Sequence, residues 1–203
     1  LTAGSDGALQ PVMLVKNPNE ALGLMRYSGA AAPRRAISIA TTDGGQSWNA
    51  PEKSALPNPN SALAAIVLAD GRILSALNNQ ETGRDALSLA ISADGGATWK
   101  TVHRLEDQTA ARSQPLDDPS FLKVAAQLAR ENGIKESDAD AYAESAKRQS
   151  CTQQGCRFEF SYPYLIRAQN SEFHLVYTWN RSFIKYVTFN LAWLDKRLQE
   201  GNP

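Results

Sequence analysis

Few side chains in this sequence combine a reactive type with a suggestive spacing. Cys151 and Cys156 stand in Cys-Thr-Gln-Gln-Gly-Cys. Four intervening residues, one of them glycine, let the pair close a small disulfide loop, which implies an oxidising compartment; two free thiols in a connecting segment are the alternative. His103 and His174 are the only histidines, and neither lies at a metal-ligand spacing from the cysteines, so no metal site is expected. Asp43 and Asp94 each precede a Gly-Gly pair. Too few oxygen ligands accompany them for calcium, whereas a carboxylate there suits the amides and hydroxyls of a tight turn. Arg26, Arg84 and Arg181 offer guanidinium forks that match a carboxylate, although taken alone Arg26 and Arg84 read as solvated surface arginines and Arg181 as one half of a structural ion pair. Tyr162 and Tyr164 read as core or rim aromatics, and Asn180-Arg181-Ser182 is a glycosylation sequon.

The elements that must position these residues are organised by a repeat. Thr41-Thr42-Asp43-Gly44-Gly45-Gln46-Ser47-Trp48 recurs about fifty residues later as Ser92-Ala93-Asp94-Gly95-Gly96-Ala97-Thr98-Trp99. One such match by chance has a probability on the order of one in a hundred thousand at average residue usage. Asp-Gly-Gly supplies the positive-φ positions of a hairpin corner, and the tryptophan anchors the corner by packing. Around the first corner, strands are expected over 10–15, 21–26 and 35–41, with a short one from Gln46. Around the second they are expected over 63–69, 72–78, 86–92 and 98–104, with turns at Asn17-Pro18-Asn19 and Asp70-Gly71. Four short strands per unit of about fifty residues is the pattern of a propeller blade. A third unit gives strands over 164–168, 172–178 and 183–189 without a fourth, then an amphipathic stretch with Leu191, Leu194 and Leu198 on one face.

Aligning the two aspartates sets Ile37 and Ile39 against Ser88 and Ala90, an apparent slip of one in the apolar alternation that a bulge would absorb. The expected organisation is therefore two blades over residues 1–105, a helical insertion over 106–157, an incomplete third blade over 158–190, and a C-terminal helix or tail over 191–203. Within the insertion, Asp118 as cap and Pro119 in the first turn start a helix that Gly133 stops. A second runs from Ser137 to about Lys147, capped by Ser137 or Asp138.

Composition sets the class. The 203 residues are 42% hydrophobic and 21% charged, with 21 basic and 21 acidic side chains that cancel. That is an ordinary soluble composition, with no charge excess to suggest nucleic acid or an anionic membrane surface. No apolar run reaches the length of a membrane span. The opening Leu1-Thr2-Ala3-Gly4-Ser5, without initiator Met or signal features, reads as a mature or excised segment.

With Leu56-Pro57-Asn58-Pro59-Asn60-Ser61, Leu68-Ala69-Asp70-Gly71-Arg72 and Gly83-Arg84, and then Phe160-Ser161-Tyr162-Pro163, Tyr177-Thr178-Trp179-Asn180-Arg181 and Ile184-Lys185-Tyr186-Val187, the chain resembles the exo-sialidases of the BNR/Asp-box type. The likeness spans nearly everything outside the insertion. It implies an all-β fold, about three blades forming the C-terminal half of a six-bladed propeller, with Asp43, Gly45, Trp48, Asp94, Gly96 and Trp99 as structural Asp-box residues. It further implies an acidic sugar held by arginines, with a tyrosine nucleophile that spares an anionic sugar the repulsion of a carboxylate. Matched residue by residue, the family's second and third triad arginines fall on Arg26 and Arg84, and Arg181 is a further candidate contact. The family's Glu falls on Gln10 and its nucleophilic Tyr on Phe160. Neither replacement can do that chemistry, so the chain alone is expected to be inactive. Tyr162, two residues on and expected on the same strand face, is the candidate substitute. Asn58 and Asn60 either point amides at the sugar or serve the Asn-Pro-Asn turn.

The resemblance implies no cofactor, and a secreted or periplasmic location. The expected partners are an acidic sugar or glycan, and either an N-terminal propeller half or a second copy meeting the exposed blade edges. The insertion, joining a fourth strand to the next first strand, is expected to form a lid on the site face. A non-catalytic carbohydrate-binding or protein-interaction propeller is the alternative, favoured by Gln10 and Phe160.

Overall fold

In the computed structural model, which describes residues 7–201, the two Asp-Gly-Gly segments fold as near-identical corners. Asp43 Oδ1 accepts from the Ser47 N–H at 2.9 Å and the Thr41 hydroxyl at 2.8 Å. Asp94 Oδ1 accepts from the Thr98 N–H and the Ser92 hydroxyl, both at 2.8 Å. The indole N–H groups of Trp48 and Trp99 donate to the carbonyls of Gly45 and Gly96. Those glycines have φ of +89° and +103°, backbone that a side chain would strain.

Each corner joins the third and fourth strands of an antiparallel meander. The first sheet runs β1 (Ala8–Val15), β2 (Ala21–Tyr27), β3 (Arg35–Thr41) and β4 (Glu52–Pro57) in order. The second runs β5 (Ala64–Val67), β6 (Ile73–Leu77), β7 (Ala86–Ser92) and β8 (Lys100–Asp107). Helices α1 (Ala110–Ser113), α2 (Asp118–Glu131) and α3 (Glu136–Ser150) follow. A hairpin of β9 (Cys151–Thr152) and β10 (Gly155–Cys156) comes next, bridged by a disulfide of 1.99 Å. The third sheet has three strands, β11 (Phe160–Arg167), β12 (Phe173–Trp179) and β13 (Phe183–Phe189), and α4 (Leu191–Glu200) ends the described chain. These are three blades of a β-propeller, the last one strand short, with a helical insertion between the second and third.

Several boundaries differ from the sequence reading. The fourth strand of blade 1 begins at Glu52, not Gln46. Asn49 is engaged by Ala40, whose N–H donates to the Asn49 side chain at 2.6 Å, and Pro51 has no N–H to give a ladder. Strand β11 begins four residues earlier than expected. It accommodates Pro163 through a bulge between Ser161 and Tyr164, with Tyr162 at φ +53°. The N-cap of α2 is Asp117, which accepts from the Ser120 N–H at 2.9 Å, not Asp118. Helix α3 starts after Lys135 with no side-chain cap, so Ser137 and Asp138 lie inside its first turn.

Two apolar clusters hold the blades together. Leu14, Leu22, Leu24 and Leu56 of blade 1 meet Ile73, Leu77 and Ala90 of blade 2. Leu74, Leu87, Leu89 and Ile91 on the other face of blade 2 join Phe160, Leu175 and Trp179 of blade 3. Strand β7 is thus buried on both faces throughout. This accounts for the apparent slip: Ala90 packs toward blade 1 while Leu87, Leu89 and Ile91 pack toward blade 3, so both faces are buried and alternation does not mark a single core face. The β7–β8 ladder does carry register shifts at Leu87/Ser88 and Leu89/Ala90, whereas β7 pairs with β6 in unbroken register.

The insertion is anchored by aromatics. Phe121 of α2 lies 4.8 Å from Phe158, and Tyr142 of α3 lies edge-on to Phe183 at 5.1 Å. Its two ends are tied to adjacent residues: the Gln108 N–H donates to the Asp85 carbonyl and the Phe160 N–H to the Arg84 carbonyl, at 2.8 and 2.7 Å. A buried polar clip joins blades 2 and 3, with Glu106 accepting from the Tyr177 hydroxyl at 2.6 Å and pairing with Lys185. Burial, and then the nearby Glu106 charge, push the Tyr177 phenol well above its ordinary range. Helix α4 lies on blade 2, where Asp195 pairs with Arg72 at 2.7 Å and Trp193 meets His103 edge-on.

Candidate functional site

In a meander, the 2–3 and 4–1 connections share one end of the blades, and the 1–2 and 3–4 connections share the other. Arg84 in a 2–3 connection, Arg181 in another, and the insertion as a 4–1 connection therefore gather on one end, away from the Asp-Gly-Gly corners. There they enclose a cleft of about 420 Å³, within the range of roughly 300–1,000 Å³ usual for small-molecule sites.

Glu159 is central to one wall. Its backbone is fixed by Asn180, whose N–H donates to the Glu159 carbonyl at 2.7 Å and whose side-chain oxygen accepts the Glu159 N–H at 2.8 Å. Its carboxylate pairs with Arg181 at 2.5 Å and Arg84 at 3.2 Å, and accepts the Ser161 hydroxyl at 2.8 Å. Burial pulls the Glu159 carboxyl upward, but the hydrogen bonds from Arg181 and Ser161 and the charges of Arg181 and Arg84 outweigh it. The group is held below its ordinary value. Arg84 is braced from behind by the Asn60 carbonyl at 2.7 Å, and its guanidinium lies 5.9 Å from the centre of the Tyr162 ring.

The opposite wall comes from the insertion. Arg112 grips Asp85 with both Nε, at 3.0 Å, and Nη2, and the hydrogen bond to Asp85 raises the Arg112 pKa. Gly83 has φ +76°, and a Cβ there would stand 3.1–3.2 Å from Asp85 Oδ1 and the Arg112 guanidinium, so glycine is what lets this pair close. Ser150 and Arg157 flank the disulfide hairpin, with the Arg157 N–H donating to the Ser150 carbonyl at 3.0 Å. Both line the cleft.

Of the residues singled out in the sequence, Arg84 and Arg181 line the cleft and Asn60 supports it through its carbonyl. Tyr162 stands beside Arg84, 48% exposed, while Phe160 is wholly buried in the core. The two therefore do not share a strand face, because the bulge at Tyr162 breaks the alternation. Asn58 is fully buried. Its side-chain oxygen accepts the N–H groups of Asn60 and Ser61, and its amide donates to the Ser61 carbonyl. The side chain thus serves the Asn-Pro-Asn turn. Gln10 (φ +53°) and Arg26 sit on blade 1, with Arg26 opposite Leu9, and neither is among the residues lining this cleft. Arg26 Nε is buried without a hydrogen-bond partner among the described residues.

Sequence reasoning missed Glu159, Arg112 and Arg157. Glu159 stood immediately before the Phe160-Ser161-Tyr162-Pro163 motif, a position that invited attention. Nothing in the sequence marked the two insertion arginines.

Residues 2–175 match the family described as BNR repeat-like domain. The chain belongs to that family. This BNR repeat-like chain superposes on the NanB sialidase of Streptococcus pneumoniae with a TM-score of 0.51 at 9% identity, covering 92% of this chain and 24% of that one. The intramolecular trans-sialidase of Ruminococcus gnavus gives 0.53 at 16% identity, over 95% and 34%. The GH93 alpha-L-arabinofuranosidase of Fusarium graminearum gives 0.52 at 13% identity, over 91% and 45%. At these identities the likeness is one of fold, and the BNR repeat-like chain spans less than half the length of each. No curated protein matches the sequence. Among the described residues, no helix is long and apolar enough to cross a membrane.

Proposed function

We propose that this chain supplies the acidic-sugar cleft of a sialidase-like glycoside hydrolase domain and is inactive by itself. The observation that carries the reading is that Arg84 and Arg181 already hold a carboxylate, that of Glu159, at the mouth of the cleft. Two guanidinium groups so placed match a sugar carboxylate. Glu159, held ionised, is unsuited to act as the acid that protonates a leaving group. That proton must come from outside these three blades, as must a further carboxylate-gripping arginine. Tyr162, exposed beside Arg84, is the candidate nucleophile. The insertion acts as a lid that narrows access, since Arg112, Ser150 and Arg157 form one wall. Deleting residues 108–155 is expected to change ligand affinity, and unchanged binding would overturn this role.

The missing blades come from an N-terminal half or from a second copy. The disulfide fits a secreted or periplasmic setting. A non-catalytic carbohydrate-binding propeller is the second reading, favoured by full burial of Phe160 where the resemblance sets a nucleophile. The deciding experiment is fluorophore release from a sialic-acid glycoside by protein carrying a complete propeller, with Arg84→Ala as control. Turnover that is lost in the variant supports the enzyme. Binding without turnover, lost in the same variant, supports the second reading.

A further inference from the structure

The cleft carries more positive charge than one carboxylate needs. Four arginines line it, Arg84, Arg112, Arg157 and Arg181, against the carboxylates of Asp85 and Glu159. Arg112 is committed to Asp85 through two hydrogen bonds. Arg84 and Arg181 share Glu159. Arg157 has no carboxylate partner among the described residues, and its exposed side chain reaches the cleft from the insertion's wall. Two positive charges thus remain uncompensated, one on each wall.

Arg157 is also held in place. It follows Cys156 directly, Ser150 precedes Cys151 directly, and the disulfide closes the hairpin between them. The hydrogen bond from the Arg157 N–H to the Ser150 carbonyl continues that hairpin by one step. The next residue, Phe158, is buried against Phe121. A cation whose backbone is fixed on both sides loses little freedom on binding an anion, which is how preorganisation raises affinity.

Resting on the acidic-sugar reading above, we infer that the wall formed by Arg157 and Ser150 is a second anion subsite, so that the preferred ligand is a saccharide bearing carboxylates on two neighbouring sugars. One carboxylate meets Arg84 and Arg181, and the second meets Arg157 with the Ser150 hydroxyl as an additional donor. A sugar with a single carboxylate leaves Arg157 unused.

The test is calorimetric binding to protein carrying a complete propeller, using two matched probe pairs: sialic acid with disialic acid, and galacturonic acid with digalacturonic acid. For at least one pair the dimer binds roughly tenfold tighter than the monomer, the gain of one charge-assisted contact. Arg157→Ala brings the dimer-to-monomer affinity ratio to about one, and Arg157→Glu inverts it. Arg84→Ala weakens both members of the pair. Equal binding of monomer and dimer, or a dimer preference that survives Arg157→Ala in a folded variant, overturns the second subsite and leaves the acidic-sugar reading standing. Failure of the folded protein to bind any of the four overturns both.

Discussion

Asp43 and Asp94 illustrate how much one carboxylate does in a short turn. Each takes hydrogen bonds from the hydroxyl and N–H of a residue four positions on, Ser47 or Thr98, and from a hydroxyl two positions before. These bonds, led by the Ser47 and Thr98 hydroxyls, lower both carboxyls from 3.8 to about 2. A carboxyl with a depressed folded pKa stabilises fully above its unfolded value and loses that contribution as pH falls through the folded one. Both corners are therefore expected to hold at pH 4 and to weaken between there and pH 2. Carboxyl resonances of Asp43 and Asp94 followed by NMR should show midpoints near 2, and midpoints near 4 would remove this account. The corner residues were legible in the sequence because the turn's chemistry is local: Asp, Gly, hydroxyl and Trp lie within eight positions. The cleft was legible only in part. Arg84 and Arg181 emerged from motifs, whereas Glu159, Arg112 and Arg157 converge through tertiary packing across the insertion. Asn58 showed the converse, an eligible polar residue consumed by its own turn.

Elements follow the same division. Strands β3, β7 and β13 stand where their flanking turns set them. Boundaries failed where a side chain or proline outside the pattern intervened, as at Asn49 and Pro51 before β4, or Pro163 within β11. Burial of β7 on both faces hid its phase, because phase is visible only when one face is wet. The Glu106 clip adds a buried polar contact to the apolar packing of blades 2 and 3. With Glu106 and Lys185 side chains only 6% and 16% exposed, removing the carboxylate leaves a poorly hydrated cation and an unpartnered phenol. Glu106→Ala should cost about 3 kcal/mol in urea denaturation, and a loss under 1 kcal/mol would mean that the clip is solvated. At the second corner, a Cβ on Gly96 would meet Leu22 Cδ2 at 2.7 Å in backbone at φ +103°. Gly96→Ala should lower stability by roughly 1–3 kcal/mol, read as a drop in Tm, whereas Gly71→Ala, with open space around it, pays only the backbone strain.

At the scale of the molecule, the two outer blade faces remain apolar. Tyr164, Ile184 and Tyr186 of blade 3 are 66%, 63% and 59% exposed, and Val15 of blade 1 is 66% exposed. Contiguous apolar surface of this kind marks a contact surface. We expect this chain to associate as its concentration rises, and Tyr164→Glu with Ile184→Glu to suppress that association without lowering Tm. Light scattering that reports a monomer throughout would contradict the expectation. The insertion has another property at this scale. It leaves blade 2 and enters blade 3 at points hydrogen-bonded to the consecutive residues Asp85 and Arg84, so some fifty residues depart and return at almost one place. Such a segment has the geometry of an exchangeable cassette: its chain connections to the blades lie together, and only its packing on blades 2 and 3 through residues such as Phe121 and Phe158 must be matched by a replacement. Whatever selectivity its wall confers can change by recombination in a single step, while the arginines on the blades stay where they are.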